Sequence, residues 1–170
     1  MPAYVALLRA VNVGGTGKLL MSDLIEMCEK LGFTKVKTYI ASGNVLFETR
    51  KSEAAVKTAL EAALHQYAGK PVGVAVRTPA ELQKVADANP FPKKPSRWTV
   101  AIFLDEAPPA DTLKTIRGAD GEEVRLGARE IYVHYGAGMA RSKLKIPAAT
   151  AGTARNMNTV AKLAALGAAL

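Results

Sequence analysis

The stretch that decides the fold is Tyr4-Val5-Ala6-Leu7-Leu8-Arg9, which runs straight into the glycine-rich loop AVNVGGTGK at positions 10–18. A nearly continuous apolar run of this kind is typical of a strand that is buried on both faces in the middle of a sheet. A segment with helical periodicity follows the loop. We therefore predict a central first strand, and we expect functional groups in the loop that leaves it.

The residues up to position 77 extend this strand into a β-α-β-β-α-β order, the ferredoxin-like split pattern. Helical spacing of apolar residues predicts a helix from Ser22, as its cap, to Leu31, with Cys28 buried on its inner face. The remaining elements are a helix at 52–68 and short strands at 36–40, 45–48 and 71–77.

A second, smaller set of elements follows a capping box at Thr78-Pro79-Ala80-Glu81 and a proline-rich linker at 90–95. It repeats the order strand, helix, hairpin, with patterns at 98–104, 110–117 and 123–135. The segment 136–170 shows no strand pattern and ends in a helix at about 158–166.

The predicted fold class is therefore α+β: two small ferredoxin-like (β-α-β-β-α-β type) α/β sandwich units in tandem, with a C-terminal helical segment. The predicted domain limits are 1–89 for the first unit, 97–135 for the second and 136–170 for the basic C-terminal segment.

The net charge of +8 is unevenly distributed along the chain. Positions 1–90 carry 11 basic and 8 acidic residues, whereas five basic residues and no acidic one follow Glu130. This excess favours an anionic partner such as a phosphorylated molecule, a nucleic acid or an acidic protein surface. A solvated basic segment would have the same composition, so both interpretations stay open.

Location is predicted from hydropathy and from the start of the chain. No window approaches the roughly 20 apolar residues of a membrane-spanning helix, and Met1 leads directly into a strand pattern without the regions of a signal peptide. One cysteine forms no intramolecular disulfide. We therefore expect a cytoplasmic protein without membrane association, in which an uncovered edge strand would permit a homo-oligomer.

One candidate site lies where the first strand ends. In the predicted sheet this end meets the turn between strands two and three, which brings together a guanidinium, amides, a hydroxyl and glycine N–H groups, namely Arg9, Asn12, Gly14, Gly15, Ser42 and Asn44. Such groups form a cradle for an oxyanion. The same side chains would also serve to hold loop carbonyls in place, and the pattern alone does not separate the two roles.

The glycine loop does not match the standard nucleotide-binding motifs. A P-loop would need glycine at position 12, which is Asn12, and serine or threonine at position 19, which is Leu19. A dinucleotide fingerprint would need glycine at position 20, which is Leu20.

A second candidate site precedes the last helix, at Thr153-Ala154-Arg155-Asn156-Met157-Asn158-Thr159. A helix start binds anions through free N–H groups and the positive end of the helix dipole, and Arg155 with Lys143 would reinforce this. Asn156 or Asn158 would serve equally as a helix cap without any ligand.

Catalytic residues are unassigned. His65 is interpreted as a surface histidine and His134 as a half-exposed structural one, and no serine or carboxylate pair has the setting of a nucleophile or general acid. Two isolated histidines and one cysteine do not build a usual zinc site. We predict neither a metal nor a cofactor.

Three stretches, YVALLRAVNVGG at 4–15, LGF at 31–33 and TYIASGNVLF at 38–47, resemble the uncharacterised bacterial family catalogued as domain of unknown function 1697. Ser142-Lys143-Leu144 and the residues at 153–160 resemble its closing motif. The resemblance covers nearly the whole chain. It implies an α+β fold with two ferredoxin-like parts and no established activity, and it implies that the two candidate clusters form one joint site.

The chain departs from the family pattern at two positions. Ala10 stands where the family usually has glycine, which makes the loop less permissive, and Met157 stands where it usually has tryptophan, which removes an aromatic surface. A base or ring that stacked there would be held less well in this chain.

We predict a non-catalytic binding module for a phosphate-bearing or other anionic ligand, namely a nucleotide, a phosphorylated metabolite or a nucleic acid. One alternative is an enzyme acting on a phosphorylated small molecule, with Arg9 and Arg155 stabilising transition-state charge. Another is a structural or protein-interaction module with no small-molecule ligand. Sequence-specific RNA binding is disfavoured because aromatic residues make up only 6% of the chain.

Overall fold

The computed structural model of the protein describes residues 1–9, 18–41 and 43–170. Its first sheet has four antiparallel strands in the order β2-β3-β1-β4. These strands and their two helices are β1 (Ala3–Leu8), α1 (Met21–Lys30), β2 (Thr34–Thr38), β3 (Asn44–Glu48), α2 (Glu53–Ala68) and β4 (Val74–Arg77). The apolar first strand thus lies between two neighbours, as its composition predicted.

The first hydrophobic core lies between one face of this sheet and the two helices. It contains alternate residues of β1 together with inward-facing residues of α1 and α2, among them Tyr4, Ala6, Leu8, Leu24, Cys28, Val56, Leu60 and Leu64. On the opposite face of β1, Val5 and Leu7 are also fully buried. Burial on both faces explains why β1 is apolar at every position.

The ends of α1 and α2 follow from local chemistry. Ser52 caps α2 by accepting a hydrogen bond from the N–H of Ala55 at 3.2 Å, and Gly69 ends it at φ +72°. The prediction that Ser22 caps α1 is wrong, because α1 already begins at Met21 and Leu20 occupies the cap position. Gly32, at φ +87°, follows the end of α1.

The predicted capping box begins α3 (Pro79–Asp87). The backbone N–H of Thr78 donates to Glu81 Oε1 at 2.9 Å, and the N–H of Glu81 donates to Thr78 Oγ1 at 3.1 Å. The two residues therefore satisfy two N–H groups at this helix start reciprocally.

The second sheet repeats the strand order of the first. Its antiparallel strands are arranged β6-β7-β5-β8, and the elements are β5 (Thr99–Phe103), β6 (Glu123–Leu126), β7 (Glu130–His134), β8 (Thr153–Asn156) and the final helix α4 (Met157–Ala168). Short 3-10 turns at Thr112–Lys114, Gly136–Arg141 and Pro147–Ala149 connect these strands. None of the helices in the described ranges is both long and apolar enough to cross a membrane.

Two predictions for this half of the chain are wrong. The segment 136–170 contains a strand, β8, which exists because it pairs with β5 from Val100 to Phe103 and not because of any apolar pattern of its own. The helix predicted at 110–117 is only the 3-10 turn Thr112–Lys114, in which Leu113 is exposed. Of the apolar residues in this segment, Ile116 packs against a hydrophobic core of the second unit while Leu113 stays in solvent.

The chain forms two compact units, one of residues Met1–Leu82 with Leu163–Leu170 and one of Gln83–Lys162. The division between the units falls inside α3 and again inside α4. The domain limits 1–89, 97–135 and 136–170, which were drawn from composition, stay a prediction.

Candidate functional site

The end of β1 lies beside the turn between β2 and β3, as the strand order predicted. The N–H of Leu8 donates to Gly43 O at 2.9 Å, and Leu7 pairs with Asn44. Four residues of the site predicted here, Asn12, Gly14, Gly15 and Ser42, lie outside the described residues.

Arg9 and Asn44 differ in what they offer to a ligand. Arg9 is exposed, and its backbone N–H donates to Gly73 O at 2.9 Å. Asn44 is fully buried, and its Nδ2 donates to Tyr39 O at 2.9 Å. The Asn44 amide therefore holds a loop carbonyl, which is the structural role that the sequence had left open.

The second predicted cluster lies in the other compact unit, on β8 and the start of α4. Asn156 is the helix cap, since its Oδ1 accepts a hydrogen bond from the N–H of Thr159 at 2.9 Å. Asn158 and Lys143 are exposed. The joint site implied by the family resemblance stays a prediction, because Arg9 and Arg155 belong to different units.

Arg155 is a buried cation. It is 9% exposed, its Nη1 donates to Ala154 O at 2.9 Å, and burial lowers the pKa of its guanidinium to about 10. A side chain this buried presents little surface to a ligand arriving from solvent. Its hydrogen bond to its own strand supports a structural role.

The second unit contains an open pocket that the sequence did not indicate. Its volume is about 480 Å³, and its lining combines apolar side chains with two cations and two hydroxyls, namely Ile102, Leu144, Ile146, Pro147, Ala149, Arg117, Lys145, Tyr135 and Thr150. Its volume falls within the range of small-molecule pockets.

Arg117 and Lys145 form the cationic side of this pocket. The N–H of Arg117 donates to Lys145 O at 2.9 Å and the N–H of Lys145 donates to Arg117 O at 2.8 Å, so the two residues form one isolated antiparallel bridge. Directly opposed residues of such a bridge project their side chains to the same side. Both side chains are exposed, and neither forms an ion pair with any carboxylate that the structure describes. Two like charges are therefore held side by side.

Gly118 permits this approach. It has φ +70°, and a Cβ at this position would lie 2.2 Å from Lys143 O, which is inside any allowed contact. Only glycine allows the two backbone segments to come this close. Lys143, a predicted site residue, therefore contributes its backbone carbonyl to this close approach, directly next to Arg117 and Lys145.

The two hydroxyl groups of the pocket differ in what they offer: Tyr135 is suited to donating a hydrogen bond, whereas Thr150 already donates its proton. Burial raises the pKa of Tyr135, with a further contribution from Glu122, so its hydroxyl stays protonated at neutral pH. Thr150 Oγ1 donates to Pro147 O at 2.8 Å. Neither a histidine nor a carboxylate lies among the lining residues described, whereas Arg117 and Lys145 supply positive charge.

The pocket was missed because its polar residues come from two distant segments with no recognised motif. The only local signal was an arginine followed directly by glycine, at Arg117 and Gly118, and nothing in the sequence indicated pairing with Lys145. The basic excess after Glu130 was the more general signal.

A groove of about 530 Å³ lies between α1 and α2 in the first unit, and its charged groups are already engaged. Tyr67 donates its hydroxyl to Asp23 Oδ2 at 2.8 Å, and Lys30 forms an ion pair with Glu26 at 3.1 Å. This groove therefore offers a weaker case for a charged ligand.

The remaining reactive side chains have structural settings. Cys28 is fully buried, and burial raises the pKa of its thiol to about 12, which agrees with an inert cysteine. His134 is buried rather than half-exposed, and its Nδ1 lies 2.8 Å from Thr99 Oγ1. The described residues contain no group of three or more histidine, cysteine or acidic side chains that could hold a metal ion.

The fold and these positions can be compared with known proteins. The sequence model of the family described as "Protein of unknown function (DUF1697)" matches residues 1–132. The chain belongs to this family. The match covers β1 to β7 except for the last two residues of β7, together with Arg117 and Gly118, whereas Lys145 lies beyond it.

One solved structure shows that the fold extends over the whole chain. It is described as the structure of conserved bacterial protein SP0830 from Streptococcus pneumoniae, and it aligns with a TM-score of 0.79 over 97% of this chain and 98% of that chain, at 23% identity. A search of curated proteins finds none with significant similarity to this DUF1697 chain.

Proposed function

We propose that the protein binds a small anionic ligand without transforming it, and that Arg117 and Lys145 hold the anion. The observation that carries this proposal is the two-way backbone bridge that fixes two cations on one side of a pocket. Like charges in directly opposed positions destabilise a pair of strands. An anion between them would turn this repulsion into two charge-assisted hydrogen bonds.

The geometry favours binding over catalysis. The described lining offers cations and two hydroxyls, whereas general acid–base chemistry would need a group that exchanges protons near neutral pH. Tyr135 is no such group, because burial raises its pKa further above neutrality. A purely structural role is disfavoured, because in that case we would expect each of the two cations to be paired with a carboxylate or to lie apart from the other.

A phosphate-bearing ligand fits the paired cations, and the strand order of each sheet supports the ferredoxin-like description of the units. A second contact point at exposed Arg9 also remains a proposal, as do Asn158 and the backbone around Lys143. The cytoplasmic location and the homo-oligomer stay predictions.

The test is a titration with inorganic phosphate, phenyl phosphate and benzoate at two salt concentrations. Binding is monitored through the backbone amide NMR chemical shifts. We expect shifts around residues 117 and 145, weakening as salt rises. Arg117→Gln and Lys145→Gln should each lose about tenfold or more in affinity, because a hydrogen bond to a charged group is removed. Lys93→Gln is the control, since Lys93 is an exposed cation of the same unit that does not line the pocket.

Two results would overturn the proposal. Unchanged affinity in Lys145→Gln and Arg117→Gln would exclude these cations as the site. Loss of binding in Arg9→Ala alone would instead favour the site predicted at the end of β1.

A further inference from the structure

We infer that the ligand of this pocket is an amphipathic organic anion, with a carboxylate or phosphate head at Arg117 and Lys145 and an apolar tail on the pocket floor. The inference rests on the proposed anion binding and specifies the part of the ligand that the cations do not hold. The evidence is the pocket floor, which is apolar, is partly exposed to solvent and packs closely on neighbouring backbone.

The floor belongs to the second hydrophobic core. Ile102 and Ile146 are buried members of this core, and Leu144 and Ala149 are partly buried residues packed against it. These side chains also line the pocket. Water in contact with such a surface is displaced favourably by an apolar group.

The floor is partly exposed at Leu144 and Ala149 because the described connections between the strands of the second unit contain no α-helix. In the first unit, α1 and α2 pack their apolar residues onto one face of the sheet. In the second unit the corresponding connections contain 3-10 turns at Thr112–Lys114, Gly136–Arg141 and Pro147–Ala149. Turns of three to six residues cover less of a sheet face than helices of ten and sixteen residues, so part of the core remains open to a ligand.

The backbone that follows the lining residues Ala149 and Thr150 packs closely on the floor. A Cβ at Gly152 would lie 2.5 Å from Ile102 Cγ2 and 3.0 Å from Leu104 Cδ2, so the backbone there packs directly on the apolar side chains. The N–H of Gly152 also donates to Ala149 O at 2.9 Å. This close packing indicates an apolar surface that exists before any ligand binds, which lowers the cost of ordering it.

The arrangement of cations beside an apolar floor selects the class of ligand. An inorganic anion would engage Arg117 and Lys145 but leave the floor in water, and a neutral apolar molecule would leave two like charges unpaired. A molecule with both parts satisfies both surfaces. Carboxylate and phosphate heads share the required charge, and the experiment distinguishes them.

The test compares acetate, butyrate, hexanoate and octanoate on the intact protein by calorimetry, with hexanol as the uncharged counterpart and hexyl phosphate as the second head group. We expect the Kd to tighten about fourfold for each methylene buried, because one buried methylene contributes about 0.8 kcal/mol. Hexanol should bind far more weakly than hexanoate, and Lys145→Gln should weaken every charged member of the series.

Pocket-filling variants test the floor itself. Ala149→Phe should remove the gain in affinity from longer tails, so that acetate and octanoate bind alike, whereas Ala140→Phe, at an exposed residue outside the lining, should behave as wild type. Ala149→Leu serves the same purpose with a smaller side chain if the phenylalanine variant folds poorly.

The outcomes separate this inference from the function on which it rests. Equal affinity for acetate and octanoate, with both lost in Lys145→Gln, would overturn the amphipathic ligand and leave anion binding intact. Absence of binding by every anion would overturn both. Binding to vesicles of anionic lipid with no binding of free alkanoates would also overturn the inference, because it would indicate a membrane surface in place of a small molecule.

Discussion

Arg77 and Arg155 occupy equivalent positions in the two sheets. Arg77 ends β4, which pairs with β1, and Arg155 lies on β8, which pairs with β5. In each arginine the Nη1 group donates a hydrogen bond to the carbonyl of the preceding residue, at 3.0 Å to Val76 O and 2.9 Å to Ala154 O. Each is also followed directly by a residue whose side chain caps the next helix. The internal repeat therefore extends to particular buried residues.

Replacing Arg77 with alanine should strongly destabilise the protein. Arg77 is 2% exposed and is among the largest buried side chains that the structure describes, so its loss leaves a cavity and removes its bond to Val76 O. We expect the free energy of unfolding to fall by about 3 kcal/mol. Urea denaturation measures this, with Arg141→Ala at an exposed arginine as the control, which should change it by less than about 0.5 kcal/mol. Equal effects of the two changes would contradict a buried structural arginine.

Asn156 and its neighbour in the closing motif should differ in their effect on stability. Asn156→Ala removes the cap of α4 and should lower the free energy of unfolding by about 1 kcal/mol, whereas Asn156→Asp keeps an acceptor for the N–H of Thr159 and should retain stability. Asn158→Ala, at an exposed position, is the matched control. Equal melting temperatures of Asn156→Ala and Asn158→Ala would argue against a capping role for Asn156.

Cys28 should make the protein sensitive to alkaline pH. Burial raises the pKa of its thiol from 9.0 to about 12, so above pH 9 the unfolded chain loses a proton that the folded chain keeps. The thiol's contribution to stability is present below pH 9 and is lost as pH rises towards 12. Compared with Cys28→Ala, the wild-type protein should lose about 1.3 kcal/mol more between pH 8 and pH 10.

Urea denaturation of both proteins at these two pH values checks the size and sign of this difference. Comparison with the variant removes the titration of lysines and tyrosines, which both proteins share. Parallel pH profiles would mean that the thiol is accessible to solvent in the folded chain. Reaction of Cys28 with a thiol reagent would then proceed without unfolding.

Gly118→Ala should disrupt both stability and ligand binding. A Cβ would meet Lys143 O at 2.2 Å, and the positive φ disfavours any other residue, so the backbone bridge between Arg117 and Lys145 must open. We expect a loss of about 2 kcal/mol in unfolding free energy, and weaker phosphate binding. Gly138→Ala is the control because no atom lies within 4 Å of a Cβ at that position. Retained affinity in Gly118→Ala would show that the pairing of the cations is unimportant.

The first sheet could be predicted because its signals were local. The apolar run of β1 required burial on both faces, Ser52 and Gly69 bounded α2, and the reciprocal bonds of Thr78 and Glu81 needed only four consecutive residues. Each of these features depends on side chains close together in the sequence. Pattern and propensity are most informative in that case.

The features that were missed depend on distant pairing. The strand β8 has a cation and an asparagine in four residues, and only its hydrogen bonds to β5 make it a strand. The bridge between Arg117 and Lys145 joins two irregular segments on either side of the β6–β7 hairpin. Asn44 and Arg155 were identified as polar groups of a site, and their burial, which the sequence does not reveal, gives them structural contacts.

Residues 163–170 belong to the first unit, and this affects when the contacts of that unit form during synthesis. Gly167 lies against Pro79, where a Cβ would come within 2.6 Å of the proline ring, and Lys35 Nζ donates to Leu170 O at 3.4 Å. All four strands of the second sheet precede residues 163–170 in the sequence. During synthesis from the N-terminus, the contacts of these residues with Pro79 and Lys35 therefore form only after the strands of the second sheet have been made.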